Sequence, residues 1–517
     1  MTRADAQMTT PPPPGAAAPA RGAQHALQGL ASVDWTWAIL GLFGVLWLWH
    51  LSSVALSPPA DNIEQLTWVR SLQWGYYKHP PLPTWALWAF VQVAGWSAWS
   101  SYLLGALCTL ASLALYAALL REMYGRHYAL VGLLAALCIT FYNGRLYYYN
   151  HNTALTLWVA ASAWLWWRIL TRPQLRWWLA LGVVAAAGML SKYQYAVTAL
   201  CGLWLFARHG LWRDPLQRRG LVLAVAVALA LVLPHALWLL QQERGPIAYA
   251  MQSSLGAQLG PVERLTASTK WLADWLLNRC LPALLLLVAV WWAQRRLAAP
   301  GARLPPSAGP QHAAQTAERG ASVLLCWGLL PPLFMAAMGV LGGVDLQLQW
   351  GTAFAMWTVP ALMAWLRLRE EALAVRRVLV LGGVFFVLLQ ALLVWQSYDS
   401  SAFGRHRPRS PHWREFASEE LALAVAGPAR QALGGPISII RGPATVSGVV
   451  ALWLPEQPRV LIDGNLAVSP WIAPGEPERL GVLNLWPPGT GPEDAHRVRG
   501  GWGWSVQVGT GADPASH

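Results

Sequence analysis

Apolar runs long enough to cross a bilayer recur along this 517-residue chain, and they limit its fold more than any other feature. In hydrocarbon every backbone N–H and C=O must find a partner inside the chain, so runs of this kind fold as helices. About 20 residues of helix span a hydrocarbon core of about 30 Å. Hydropathy and breaker residues place segments near 34–55, 101–120, 128–142, 153–169, 177–190, 195–208, 220–240, 271–293, 321–341, 351–366 and 378–397. The apolar stretch from Pro83 to Gly95 is short and reads as interfacial or re-entrant. Only 12% of residues are charged, about half the fraction usual in a soluble domain. The expected fold is an all-α polytopic membrane protein of about eleven transmembrane helices, with a small C-terminal α/β domain.

The net charge of +13 does not point to nucleic acid. The arginines sit in short clusters between apolar runs, where topology accounts for them. With the N-terminus in the cytoplasm, the groups at Arg121/Arg126, Arg168/Arg172/Arg176, Arg208/Arg213/Arg218/Arg219, Arg295/Arg296 and Arg367/Arg369/Arg376/Arg377 all fall inside. Eleven crossings then leave the C-terminus in the periplasm of a bacterial inner membrane. The five cysteines lie in or beside apolar segments without metal-ligand spacing and read as small core residues.

Residues 1–32 form a Pro/Ala-rich cytoplasmic tail, and 297–320 a low-complexity loop, both expected to be disordered. Residues 33–397 make the membrane domain. After about 398 prolines and glycines rise and no spanning run remains, so 398–517 is expected to be a periplasmic domain. Within it 412–432 reads as a helix and 436–441 and 458–463 as strands. The Gly-rich end, from about Pro487, is expected to be loose.

Ionisable groups at a membrane boundary are costly and mark candidate sites. The first outer loop holds Asp61 and Glu64, three residues apart and on one face if helical. They read as a general base with its neighbour, or as a carboxylate pair for a divalent cation such as Mg or Mn, with a simple capping role as the plain alternative. Tyr77-Lys78-His79 precede Pro80-Pro81, which hold the backbone and keep the pair out of a helix. The only lysines are Lys78, Lys192 and Lys270, all on the outer side of this layout. Lys192 and Tyr193 occupy a turn between two legs of about 14 residues, or about 21 Å each, so the turn should lie in a recess below the outer surface. Asn150, His151 and Asn152 could meet sugar hydroxyls or supply a further cation ligand, and Arg244 in the long outer loop could contact an acceptor or a phosphate. Asp345, Gln347, Gln349 and Trp350 occupy another outer turn. No P-loop, dinucleotide fingerprint, GxSxG or HExxH occurs.

The Asp61 loop, Gly75-Tyr76-Tyr77-Lys78-His79-Pro80-Pro81-Leu82 and Gly188-Met189-Leu190-Ser191-Lys192-Tyr193 resemble bacterial family 39 glycosyltransferases, relatives of the protein O-mannosyltransferases and aminoarabinose transferases. The likeness covers roughly 34–400. It implies a GT-C fold and a polyprenyl-phosphate sugar as donor. It implies Asp61 as the loop acid, and Lys78 or His79 and Lys192, with its neighbour Tyr193, as the groups that meet phosphate. The family usually carries two adjacent acids in the first loop; here Asn62 stands in the second place.

The expected activity is an inverting transfer of sugar from polyprenyl phosphate to a lipid, glycan or protein acceptor on the periplasmic face. A transporter or flippase of lipid-linked sugars is the alternative.

Overall fold

The computed structural model describes residues 34–242, 245–297, 310–398 and 413–511. The tail, Arg244 and residues 298–309, half of the 297–320 loop, lie outside them. The chain is mainly helical. In order come α1 (Trp35–Val54), α2 (Ala60–Trp68), α3 (Leu82–Ala94), α4 (Ala98–Tyr124), α5 (Arg126–Leu137), α6 (His151–Thr171), α7 (Leu175–Ser191), α8 (Tyr195–Arg208) and α9 (Pro215–Leu240). They are followed by α10 (Pro261–Ala273), α11 (Leu281–Leu297), α12 (Pro310–Gly342), α13 (Ala355–Trp365) and α14 (Arg376–Tyr398).

Each of the eleven expected apolar segments is helical in whole or part. Five helices among the described residues are long and apolar enough to cross a membrane alone, or six if the pair Pro261–Arg279 and Leu281–Leu297, bent by 53°, is one span. The others are shorter. Helix α6 is long but carries Asn152, Thr153 and Thr156, and it is buried over most of its length. Residues 310–320, expected to be loop, instead extend α12.

The arginine clusters meet at one end of the bundle. Arg121 pairs with Asp34, Arg168 with Glu122 at 2.7 Å and Arg208 with Glu318 at 3.1 Å. At the same end Arg319 donates to the carbonyl of Leu170, and Glu370 binds His127 at 2.7 Å. The opposite ends of α4 and α6 hold Ser101 and Asn150 beside the first outer loop. Helix α4, with 27 residues, separates the two ends by about 40 Å. The two-ended distribution that the positive-inside pattern requires is present.

Beyond the bundle, α15 (Ser418–Leu433) and α16 (Ala444–Trp453) pack with a five-stranded sheet in the order β2-β1-β3-β5-β4. Its strands are β1 (Ile439–Gly442), β2 (Arg459–Ile462), β3 (Val482–Trp486), β4 (His496–Arg497) and β5 (Gly503–Gln507). Strands β2, β1 and β3 run parallel, while β5 is antiparallel to β3 and to β4. The Gly-rich end is therefore not loose throughout, because Gly503–Gln507 pair with all five residues of β3. The domain is tied to the start of α2. Trp413 Nε1 donates to the Pro58 carbonyl at 2.6 Å, Leu56 N to the Arg414 carbonyl at 2.8 Å, and Ser57 Oγ to the Phe416 carbonyl at 2.7 Å. Helix α16 lies on α2, where Gly448 faces Ile63.

Candidate active site

Pro59 starts α2. Its carbonyl accepts from Asn62 N at 3.0 Å and Ile63 N at 3.2 Å, and no side chain caps the helix. Asp61 therefore sits in the first turn, where the helix dipole favours an anion. The capping alternative does not describe it: its Oδ2 accepts from Asn150 Nδ2 at 2.7 Å, not from a backbone N–H. Asp61 is exposed, whereas its neighbour Asn62 is fully buried.

Asn62 has a structural task that a carboxylate could not perform. Its amide donates to Ser101 Oγ at 3.0 Å and the Tyr147 carbonyl at 2.9 Å, and its Oδ1 accepts from Tyr149 N at 2.9 Å. This buried clip joins α2, α4 and the 138–150 loop. An aspartate would lose both donors there and leave a carbonyl unpaired.

Glu64 points along the same face of α2 but is engaged. Lys78 Nζ lies 2.5 Å from its Oε1, and the Tyr77 hydroxyl donates to it at 3.2 Å. Burial would lower the Lys78 ammonium, but the Glu64 carboxylate and Tyr77 outweigh it and hold Lys78 above its ordinary range. The loop turns tightly, with reciprocal bonds between Tyr76 and His79, Tyr76 N to the His79 carbonyl at 3.0 Å and His79 N to the Tyr76 carbonyl at 3.2 Å.

The expected cation site at Asp61 and Glu64 does not fit this geometry. No group of three His, Cys, Asp or Glu able to hold a metal ion occurs among the described residues. Glu64 already neutralises an ammonium, so its charge is not offered to a second cation.

The Asn150-His151-Asn152 run works as a junction. Asn150 caps α6, its Oδ1 accepting from Thr153 N at 2.9 Å while its amide holds Asp61. Asn152 Oδ1 accepts from Lys192 Nζ at 2.5 Å. Between them the His151 ring packs against His79, tilted by 34° with centroids 3.9 Å apart. Asp61 and Lys192, far apart in sequence, thus meet neighbouring residues of one helix start, Asn150 and Asn152. Burial lowers Lys192 to about 7, with the Asp61 carboxylate opposing that shift.

The expected turn at Lys192 is present. Helix α7 ends at Ser191 and α8 begins at Tyr195. The hairpin is tight because Gly188 lies against the Tyr195 ring, leaving no room for a Cβ. The Trp350 ring lies 5.7 Å from the Lys192 ammonium. This brings in the Asp345–Trp350 turn through Trp350; Asp345 itself accepts weakly from Gln347 at 3.5 Å.

Tyr193 differs from its expected role. Its hydroxyl lies 2.8 Å from His235 Nε2, and His235 Nδ1 lies 2.6 Å from the Trp74 carbonyl. A carbonyl only accepts, so Nδ1 carries the proton and Nε2 accepts from Tyr193. That proton is then not available to a phosphate. Tyr193 instead ties the lysine turn to α9 and the Trp74 loop.

Arg145 is the main group the sequence reading passed over. It is half-buried, lies beside Phe141 and Tyr148, and feels the Asp61 charge. The signal was available: an arginine on the outer side runs against the positive-inside pattern. Gln65, which accepts from Thr84 Oγ1 at 2.9 Å and faces His151, was also missed, as were His235 and Tyr249, whose ring lies 5.6 Å from Lys78 Nζ. Arg145 and Lys192 both feel the exposed Asp61 carboxylate, so two cations and one carboxylate gather at this end of the bundle.

Residues 78–238 match the family model described as dolichyl-phosphate-mannose-protein mannosyltransferase. The chain is 30% identical over 209 residues to the lipopolysaccharide core galacturonosyltransferase RgtA of Rhizobium johnstonii, covering 38% of this chain and 39% of that protein. RgtB of the same organism is 28% identical over 211 residues, covering 40% and 42%. The aligned stretch is thus about two fifths of those relatives' length. The fold is similar to ArnT from Cupriavidus metallidurans bound to undecaprenyl phosphate, with a TM-score of 0.54, 15% identity, and coverage of 88% of this chain and 93% of that one. Its apo structure gives a TM-score of 0.51 at 14% identity, covering 90% and 93%. The family resemblance and the mainly helical fold with a small C-terminal sheet are borne out.

Proposed function

We propose that the chain is an integral-membrane glycosyltransferase of the GT-C class that moves a sugar from a polyprenyl phosphate to a lipid, glycan or protein acceptor, with inversion. The observation that carries this reading is the convergence of Asp61 and Lys192 on Asn150 and Asn152 at the outer end of the bundle. Asp61, exposed at a helix start, accepts the proton of the acceptor hydroxyl as it attacks the anomeric carbon. Lys192, with Arg145 nearby, takes up the charge that develops on the departing phosphate. Lys78 is held by Glu64 and steadies the rim. One displacement suffices, so no covalent sugar–enzyme intermediate is required. The transport alternative gains nothing from the relatives, which are named as transferases. In this reading the protein lies in a bacterial inner membrane, with the arginine-rich end and N-terminus cytoplasmic and the C-terminal domain periplasmic.

The test uses purified protein in proteoliposomes with a polyprenyl-phosphate sugar and acceptor glycolipid, following release of free polyprenyl phosphate. Asp61→Asn is expected to lower release about a hundred- to ten-thousand-fold, the usual contribution of a general base, with the protein still folded. Wild-type release in that variant would remove Asp61 from the chemistry.

A further inference from the structure

The C-terminal sheet has one polar face on which several groups lack partners among the described residues. Register places Arg441 of β1, Asn484 of β3 and Ser505 of β5 in one transverse row. Adjacent strands lie about 4.8 Å apart, so the row extends about 10 Å. The next row on the same face sets Trp486 beside Gly503 and Arg497. Alternate residues Ile440, Leu483 and Leu485 are buried in the domain core. Gly442 faces Ser447 of α16, so the polar rows occupy the face turned away from α16, and hence from the α2 that carries Asp61.

Three buried polar atoms in these rows have no partner in the structure: Arg441 Nε, Asn484 Oδ1 and Trp486 Nε1. Asn484 is only 7% exposed, and its amide donates to Ser505 Oγ at 3.3 Å. Neither Arg441 nor Arg497 forms an ion pair or side-chain hydrogen bond among the described residues, although the other arginines of this domain's core, Arg430 and Arg459, hold Glu456 and Glu476. The Arg497 guanidinium lies over Gly503, where a Cβ would come within 2.7 Å of its nitrogen, next to Trp486. Buried polar atoms are ordinarily satisfied, so three unpartnered ones gathered on a single face call for an explanation. Two guanidinium groups bind carboxylate or phosphate; an indole, an amide oxygen and a hydroxyl suit ring hydroxyls and the flat face of a sugar.

We propose that this sheet face is a second binding site, for a saccharide bearing an acidic group, carboxylate or phosphate. The binding stands apart from the transfer chemistry; its use in docking an acidic acceptor glycan rests on the transferase reading.

The full-length protein in detergent is titrated with digalacturonic acid, glucose 6-phosphate and neutral lactose, and binding is read by ligand-observed NMR. At least one acid should bind, lactose should not, and the acid that binds identifies the group recognised. Arg497→Gln, on an exposed edge strand, and Arg441→Gln should each weaken that binding about tenfold or more, while Asp61→Asn should leave it unchanged. Equal binding of lactose, no binding of either acid, or unchanged binding in both arginine variants would overturn the site. Loss of transfer in Asp61→Asn with binding retained separates this result from the fate of the transferase reading.

Discussion

At the residue scale, Asp61 and Glu64 share a helix face but have different surroundings. Asp61 is exposed and held by an amide, whereas Glu64 is paired with Lys78. Their i, i+3 spacing was legible in the sequence; their division of labour was not, because it depends on which loop each one meets. Lys192 supports a pH prediction. It lies in the turn between α7 and α8, and burial lowers it to about 7. A phosphodiester donor does not titrate in this range. The ammonium form, which binds it, dominates below about pH 7 and is lost as pH rises through that value. Donor affinity should therefore be flat at pH 5.5–6.5 and fall by up to about tenfold per unit above 7. Lys192→Met should abolish this slope and weaken binding at pH 6, as measured by donor titration at fixed ionic strength. An identical pH profile in that variant would assign the titration elsewhere.

At the scale of elements, the site depends on how α2 is held. Asn62 fastens it from below, and α16 presses on it from the C-terminal domain at Gly448. A Cβ at 448 would sit 2.5 Å from Ile63 Cγ2 and 3.0 Å from Thr67 Oγ1. Overpacking of this kind costs about 1–3 kcal/mol, and Ile63 lies two residues from Asp61. Gly448→Ala should therefore lower the melting temperature and the transfer rate together, and adding Ile63→Ala should recover much of both. If Gly448→Ala melts and turns over like the unaltered protein, the contact does not position the helix. A substitution in one domain would thus be read out in the chemistry of the other.

At the scale of the whole molecule, two ends carry two kinds of charge. Most arginines with their acidic partners gather at one, and Lys78, Lys192, His79, His151 and Asp61 at the other. The proposed orientation predicts labelling from opposite sides. A cysteine at Thr510 should react with a membrane-impermeant maleimide added to intact spheroplasts, and a cysteine at Arg213 only after permeabilisation. The native cysteines are four buried and one half-buried among helices, so background labelling should be low. Reversal of the two results would invert the topology.

Membrane character, helix positions, the arginine asymmetry and the Lys192 turn follow from local properties: apolar length, breaker residues and the cost of charge in hydrocarbon. The sequence by itself determined these. The role of Asn62, the commitment of Glu64 to Lys78, the diversion of the Tyr193 proton to His235 and the pairing of a Gly-rich tail into β5 were decided only by tertiary structure. Each depends on a partner distant in sequence, and burial decides whether that partner is a backbone carbonyl, an ammonium or water.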